Sequence, residues 1–197
     1  MPVLQAIREP DMTIARAALL MLMVCVAACS GQRPPPGAAS TPDSRPRLVA
    51  SIEELMDAQV DPSADGLWDA VAVVSTLHGT ENRAPRTPED WEVTRHAALA
   101  LAESMNLLVM PGRPVAAAHA RARAPGEPAA SEIERHIANT PAAFAGFARA
   151  LQVSAVHALD AIDAKDPAAL MEAGTAIDAA CEACHVTYWY PNLKPRS

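Results

Sequence analysis

The stretch DPAALMEAGTAIDAACEACHVTYW, residues 166–189, decides how the rest of this sequence is interpreted. Asp166 followed by Pro167 is typical of a helix start, because aspartate can cap the first turn and proline is tolerated at the first helical position. Apolar or small residues then recur at spacings of four and three, as in the inner seam of a helical bundle. They are Leu170, Gly174, Ile177, Cys181, Cys184 and Tyr188. We predict one long helix, on which Gly174 allows another surface to approach closely.

The same helix carries a C-x-x-C-H motif. Its residues Cys181, Cys184 and His185 share one helical face, since they are three and four residues apart. Two thiols in this arrangement can add across the two vinyl groups of a haem, and the adjacent imidazole can ligate the iron as its proximal ligand. The motif therefore predicts one covalently bound haem c per chain.

Two other kinds of site use a pair of cysteines. A thioredoxin-like redox pair requires a preceding strand in a βαβ context, and no such pattern precedes Cys181. A zinc site requires further ligands at metal spacing, whereas the other two cysteines, Cys25 and Cys29, fall in or next to an apolar leader. A disulfide between residues three apart in a helix is geometrically poor. Haem is the preferred interpretation, with thiol redox chemistry and zinc as alternatives.

The amino-terminal segment is predicted to be an export signal. Residues 17–28 form an apolar run after Arg16, and the run is too short to span a bilayer, which needs about 20 residues. Its end, Val-Ala-Ala-Cys29, resembles a bacterial lipobox, in which the cysteine becomes the lipidated first residue. We predict a signal peptide over residues 1–28 and lipidation of Cys29.

A tether and one domain are predicted to follow the lipidated cysteine. Residues 29–47 contain five prolines and little that could be buried, which is typical of an extended linker. Residues 48–197 would form the domain, facing the bacterial periplasm and anchored to a membrane by the lipid. Ser30 after the cysteine favours the outer membrane under the usual enterobacterial sorting rule.

No stretch after residue 48 alternates with period two, whereas helical spacing recurs. We predict residues 50–79 to be one bent or broken helical arm, opened by a capping box between Ser51 and Glu54 and restarted at Asp61-Pro62. The apolar face after the restart consists of Leu67, Val71, Val74 and His78.

Two more arms complete the helical pattern. One starts at Thr87-Pro88 and ends at Pro111-Gly112, and residues 111–130 form a loop with four prolines. The other starts with a capping box between Ser131 and Glu134, and is kinked or restarted at Thr140-Pro141. Its apolar face consists of Phe144, Phe147, Leu151, Ala155, Ala158 and Ile162. With the carboxy-terminal helix, these arms predict an all-α, antiparallel four-helix bundle with the haem on its last helix.

Composition is consistent with a haem-containing bundle. The 197 residues are 50% hydrophobic and only 4% aromatic. The core therefore has few aromatic side chains, and a haem would add a large aromatic ring to it. The net charge of −7 excludes a surface that tracks nucleic-acid phosphates.

Over roughly residues 48–191 the chain resembles the class II c-type cytochromes, which include cytochrome c-prime and its low-spin relatives. The resemblance rests on the C-x-x-C-H motif only 12 residues from the carboxy terminus and on the four-helix pattern. It implies that Cys181 and Cys184 hold the haem and that His185 is the proximal ligand. In low-spin members a methionine of the first helix is the distal ligand, and Met56 is at the matching place. Alternatively, Met56 is a core residue.

Five further histidines could ligate the iron, but none lies in a motif. They are His78, His96, His119, His136 and His157. Our functional prediction is a monohaem electron carrier and not an enzyme, because no nucleophile–base set or phosphate loop stands out. The alternative is a five-coordinate module that binds a small gas such as NO or CO. Redox proteins are the expected partners, and both a monomer and a homodimer fit the class.

Overall fold

The computed structural model describes residues 46–120, 123 and 126–191. The predicted signal peptide, the lipidation site Cys29 and nearly all of the tether lie outside the described residues.

The described chain is mostly helical, with one small sheet. Its helical elements are α1 (Ile52–Leu55), a π-helical turn (Met56–Val60), α2 (Asp61–Ala70), α3 (Pro88–Leu108), α4 (Ala130–Asn139), α5 (Pro141–Asp163) and α6 (Pro167–Tyr188). Strands β1 (Val73–Thr76) and β2 (Gly79–Asn82) form a hairpin between α2 and α3. Helix α5 packs against α3 and α6, and α2 packs against the same two helices, while the short α4 contacts α5 and α6. The core lies between these helices.

Helix α6 forms as the sequence predicts. The Asp166 carboxylate accepts hydrogen bonds from the backbone N–H groups of Ala168 and Ala169 at 2.9 and 3.1 Å, which caps the first turn. The predicted close approach occurs at Gly174, whose carbonyl accepts a 3.0 Å hydrogen bond from the indole Nε1 of Trp68 on α2. The buried residues of its inner face are Leu170, Ala173, Gly174, Ile177 and Tyr188.

The first arm begins as predicted, and α2 starts at Asp61 with Pro62 in its first turn, but the helical backbone is continuous there. The capping box is present, with Glu54 N–H donating to Ser51 Oγ and Ser51 N–H donating to the Glu54 carboxylate. Asp61 makes no cap, because its backbone is already helical and its N–H donates to the carbonyl of Met56, five residues earlier. This π-helical turn changes the helix register just before Pro62, which has no N–H to donate.

The prediction of a helix through residue 79 is wrong. Helix α2 ends at Ala70, and residues 73–82 form an antiparallel hairpin in which Val73 pairs with Asn82. A run of β-branched residues favours the strand, and Gly79, at φ 131°, has a backbone conformation that suits glycine. Period-two alternation is absent because both faces of the hairpin are largely exposed, and His78 therefore belongs to no apolar face.

The third arm is divided into two helices. Helix α4 begins at Ala130, so the predicted capping box of Ser131 with Glu134 is wrong. Glu132 instead accepts the 3.0 Å hydrogen bond from the N–H of Ala129, and Glu134 accepts one from the loop N–H of Val115. The predicted break at Thr140-Pro141 is confirmed, since α4 ends at Asn139 and α5 starts at Pro141.

Helices α3 and α5 supply much of the core. Helix α3 starts at the predicted cap, where Asp90 N–H donates to Thr87 Oγ1 at 3.1 Å. Helix α5 is long and apolar enough, by length and composition, to cross a membrane, with a mean hydropathy of 1.2 in its most apolar window. Its inner face packs on α3 and α6 and includes Phe144, Ala148, Leu151, Ala155, Ala158 and Ile162.

Candidate functional site

The C-x-x-C-H motif lies in the last two turns of α6. Cys181 and Cys184 are half-buried and pack against the hydrophobic core. The carbonyl of His185 accepts hydrogen bonds from the N–H groups of Trp189 and Tyr190, both at 2.8 Å, which ends the helix. The rings of these two residues lie 6.3 and 6.2 Å from the His185 ring, centroid to centroid. The imidazole therefore sits at a defined helix end, flanked by aromatic edges.

Met56 faces the motif across a small apolar cavity. This cavity has a volume of about 30 Å³ and receives side chains from the π-helical turn, α2, α3, α5 and α6. Its lining residues are Met56, Val60, Asp61, Met105, Leu108, Phe147, Ala148, Leu151, Ala180, Cys181, Cys184 and His185. The structure thus brings the four residues predicted for the haem, Met56 and the three motif residues, to one space.

The backbone of the π-helical turn that carries Met56 does not come close to the backbone of α6. No Cα atom of Met56–Val60 lies within 8 Å of a Cα atom of α6, and the structure describes both elements in full. Helix α2 does come within that distance of α6, and the contact of Trp68 with Gly174 lies on this stretch. The backbones of the first arm and α6 therefore approach each other near Gly174. At the end of α6 that carries the motif they are farther apart, and side chains fill the space between them.

An open cleft adjoins the apolar cavity and is lined by three of the same residues, Met56, Asp61 and His185. The volume of the cleft is about 340 Å³, within the range of about 300–1,000 Å³ that is typical of small-molecule sites. Its other lining residues are Ser51, Glu53, Glu54, Asp57, Ala117, His119, Ala120, Trp189 and Tyr190. The apolar cavity alone has room for about one water molecule, so a haem at the motif would need space on the cleft side as well.

Burial keeps both motif thiols protonated at neutral pH. Burial, with the negative charges of Asp61 and Asp178, raises the pKa of Cys181 to about 11. Burial and the neighbouring Cys181 raise the pKa of Cys184 to about 12. Reactive thiols of disulfide oxidoreductases have lowered pKa values instead. The environment of this pair, within one helix and without a preceding strand, does not match a thiol redox centre.

The loop after α3 holds the amino-terminal end of the arm that carries Met56. The N–H groups of Ile52 and Glu53, which have no partner within the first turn of a helix, donate to the carbonyls of Pro114 and Val115 at 2.8 and 3.0 Å. Arg123 adds an ion pair with Glu53. These contacts join the start of α1 to a loop about 60 to 70 residues later in the chain, and no local sequence pattern predicts them.

The remaining candidate ligands lie elsewhere or belong to the core. Met105 also lines the apolar cavity, as a buried residue of α3. His119 lines the cleft, and its Nε2 lies 3.5 Å from the Glu54 carboxylate. His136 packs on Tyr188, with ring centroids 4.8 Å apart. Of the five other histidines, only His119 shares a cavity with His185 among the described residues. The rest, His78, His96, His136 and His157, line neither space.

The residues around the apolar cavity fit a covalently held haem in their chemistry. Two thiols, an imidazole and a thioether converge, and most of the other residues that line the cavity are apolar. In residues 46–120, 123 and 126–191, no three His, Cys, Asp or Glu side chains are grouped so that they could hold a metal ion. Haem iron takes four donors from the porphyrin, so a haem needs only one or two protein ligands.

Comparison of the chain with protein-family models, curated proteins and solved structures found no significant match. The class of the protein is therefore inferred from its own residues.

Proposed function

We propose that this protein is a monohaem c-type cytochrome that carries single electrons. The observation that carries the proposal is that Met56, on the first arm, and Cys181, Cys184 and His185, on α6, line one apolar cavity. A C-x-x-C-H motif alone is short. A thioether that faces the same motif from another helix is a second, independent feature of a haem site.

We further propose that the domain is an antiparallel four-helix bundle of the class II cytochrome type. The proposal is supported by the packing of α5 against α3 and α6 and of α2 against the same two helices. The haem-attachment motif near the carboxy terminus supports this class too, since most c-type cytochromes carry it near the amino end.

Each residue of the site has one role in this proposal. Cys181 and Cys184 would hold the haem through thioether bonds to its two vinyl groups. His185 would be the proximal ligand of the iron and Met56 the distal ligand. When bound, haem supplies a one-electron ferric–ferrous couple. A methionine thioether as the second ligand raises the reduction potential of a haem, which favours electron transfer.

The apolar residues of the cavity have a supporting role. Leu108, Phe147 and Leu151 come from two different helices and surround the motif with hydrocarbon. They cover the site on its cavity side, whereas Met56 and His185 also line the open cleft. A low-dielectric surrounding is one of the means by which a protein tunes a haem. Electron exchange requires no substrate pocket, only an approach of a partner protein to the cleft, which is open to solvent.

The location of the protein is proposed from sequence alone. Export and lipidation at Cys29 would place the domain in the bacterial periplasm on a tether, anchored to a membrane, with the outer membrane favoured. Covalent haem attachment takes place outside the bacterial cytoplasm, so export and the motif are consistent. Replacing Cys29 with Ser should abolish incorporation of a labelled fatty acid and release the protein from the membrane fraction.

The visible spectrum of the reduced protein, with and without carbon monoxide, tests the electron-carrier proposal. We expect a low-spin spectrum that carbon monoxide leaves unchanged, because Met56 fills the sixth position. Met56→Ala should bind carbon monoxide at once. The matched control is Met105→Ala, which removes the second thioether of the cavity and should leave the sixth position filled. Immediate binding by the unaltered protein would instead favour the five-coordinate, gas-binding alternative.

A further inference from the structure

Asp61 is an acidic residue in an unusual place. It lines both the apolar cavity and the cleft, together with Met56 and His185. Asp57, one turn earlier, lines the cleft but not the apolar cavity. Both residues are exposed to solvent, so the two acids differ in which spaces they line.

The π-helical turn is what brings Asp61 to this face. In a regular α-helix, residues five apart are rotated about 140° from each other, so Met56 and Asp61 would face different directions. Here the N–H of Asp61 donates to the carbonyl of Met56, and this wider turn stacks the two residues. Met56, Val60 and Asp61 all line the apolar cavity as a result. π-Helical turns are frequently found at functional sites.

The charge of Asp61 acts on the motif itself. It interacts electrostatically with His185, and it contributes to the raised pKa of Cys181. Asp178, the other acid that acts on Cys181, lies on α6 with the motif and lines neither space. Protein atoms packed around Asp61, together with the negative charge of Asp57, raise the pKa of its carboxyl group, although the residue is exposed to solvent.

We propose that the carboxylate of Asp61 lowers the reduction potential of the haem from its position in the lining of both spaces, beside Met56 and His185. The inference rests on the proposed haem function. A nearby negative charge stabilises the ferric state, which carries one more positive charge than the ferrous state. Asp61 therefore offsets the potential-raising effect of the Met56 thioether and sets the range of partners with which electron exchange is favourable.

Midpoint potentials of the full-length, haem-loaded protein test this inference. Asp61→Asn keeps the size of the side chain and removes its charge. We expect the ratio of reduced to oxidised protein at a fixed potential to rise about fivefold, which is about 40 mV at about 59 mV per tenfold for one electron. Asp57→Asn, the matched control, makes the same change in charge at a residue that lines the cleft but not the apolar cavity. It should move the ratio less than twofold, about 18 mV. The visible spectra of both variants should equal that of the parent protein.

The outcomes separate this inference from the proposed function. If haem is bound and Asp61→Asn leaves the potential unchanged, or shifts it no more than Asp57→Asn does, the role of Asp61 is refuted and the cytochrome stands. If the chain takes up no haem, the proposed function fails. The charge of Asp61 is then tested by alkylation of Cys181, followed by peptide mass spectrometry, in the haem-free chain. Alkylation should be about threefold faster in Asp61→Asn, and an unchanged rate overturns the electrostatic link.

Discussion

Replacing Gly174 with alanine tests how closely α2 approaches α6. Gly174 lies in the interior of α6, and a Cβ atom there would lie 3.2 Å from Cδ1 and 3.5 Å from Nε1 of the Trp68 indole. Gly146, in the interior of α5, is the matched control, because a Cβ atom there meets nothing within 4 Å. The two substitutions share the same gain in helix propensity and differ in the contact with Trp68.

The expected magnitudes follow from this difference. Gly146→Ala should stabilise the protein by about 1 kcal/mol, the difference between glycine and alanine in a helix interior. Gly174→Ala has the same gain, but the indole must shift, at an overpacking cost of about 1–3 kcal/mol. The shift also weakens the 3.0 Å hydrogen bond to the Gly174 carbonyl, which contributes about 0.5–1.5 kcal/mol. The net effect expected for Gly174→Ala is a destabilisation of about 1–3 kcal/mol.

Urea denaturation followed by far-ultraviolet circular dichroism measures both effects at equal haem content. In a Trp68→Leu background the clash is removed, so Gly174→Ala should become neutral or stabilising there. If Gly174→Ala stabilises the protein with Trp68 intact as much as Gly146→Ala does, the close approach of α2 and α6 at this point is refuted.

Four further predictions concern the cap of α3, the carboxylate of Asp90, a thiol and the core. Thr87→Ala should lower the free energy of unfolding by about 1 kcal/mol in the same assay, because it removes the cap of α3. Hydrogen bonds from the N–H groups of Arg86 and Thr87 lower the pKa of Asp90 below its ordinary value of 3.8. The carboxylate therefore stabilises the folded protein above pH 3.8, and this stabilisation is lost as the pH falls through the lowered pKa. Thermal melts of Asp90→Ala and the parent should therefore differ at neutral pH and converge in strong acid, and a constant difference would contradict this. In the haem-free chain, alkylation of Cys181 should speed up about tenfold per pH unit until the pH approaches about 11, whereas a plateau near the ordinary thiol pKa of 9.0 would show that the thiol is exposed. Ile177→Ala, at a fully buried position of α6, should cost about 2–5 kcal/mol, and a loss below about 1 kcal/mol would mean that this face does not form the core.

Helix starts are the part of the fold that the sequence predicts best, because their signals are local. Thr87-Pro88 and Asp166-Pro167 each combine a capping side chain with a proline, and both mark helix starts in the structure. Ser131, with the capping-box spacing to Glu134, also carries a local signal for a helix start but makes no cap. The reason is tertiary, since Glu134 is drawn to the loop N–H of Val115 and leaves Ser131 without its reciprocal partner.

The hairpin and the π-helical turn could not be predicted from periodicity. The strands of the hairpin are too exposed to alternate between polar and apolar residues, so helical spacing accounts equally well for Val71 and Val74. By local rules, Asp61-Pro62 predicts a new helix start after a break. In the structure the helix is continuous, and a π-helical turn just before Pro62 accommodates the proline. This turn is also what brings Asp61 to the motif, and sequence spacing alone gave no signal of it.

The position of the motif was predictable, but its surroundings were not. The spacing of Cys181, Cys184 and His185 predicts that they share one face of a helix, and the structure has all three on α6. The position of Met56 opposite these residues depends on the packing of the first arm. It also depends on the carbonyls of Pro114 and Val115, which accept hydrogen bonds from the first turn of α1. Such contacts are long-range and have no pattern in a single sequence.

The mass of the purified full-length protein, expressed with export and a haem-attachment system, tests the central claim most directly. We predict that the intact mass exceeds that of the processed and lipidated chain by one haem, and that this added mass maps to the peptide containing Cys181 and Cys184. The Cys181→Ser/Cys184→Ser variant should lack it. An intact mass without haem, with both thiols free to react, would contradict the assignment of this protein as a c-type cytochrome.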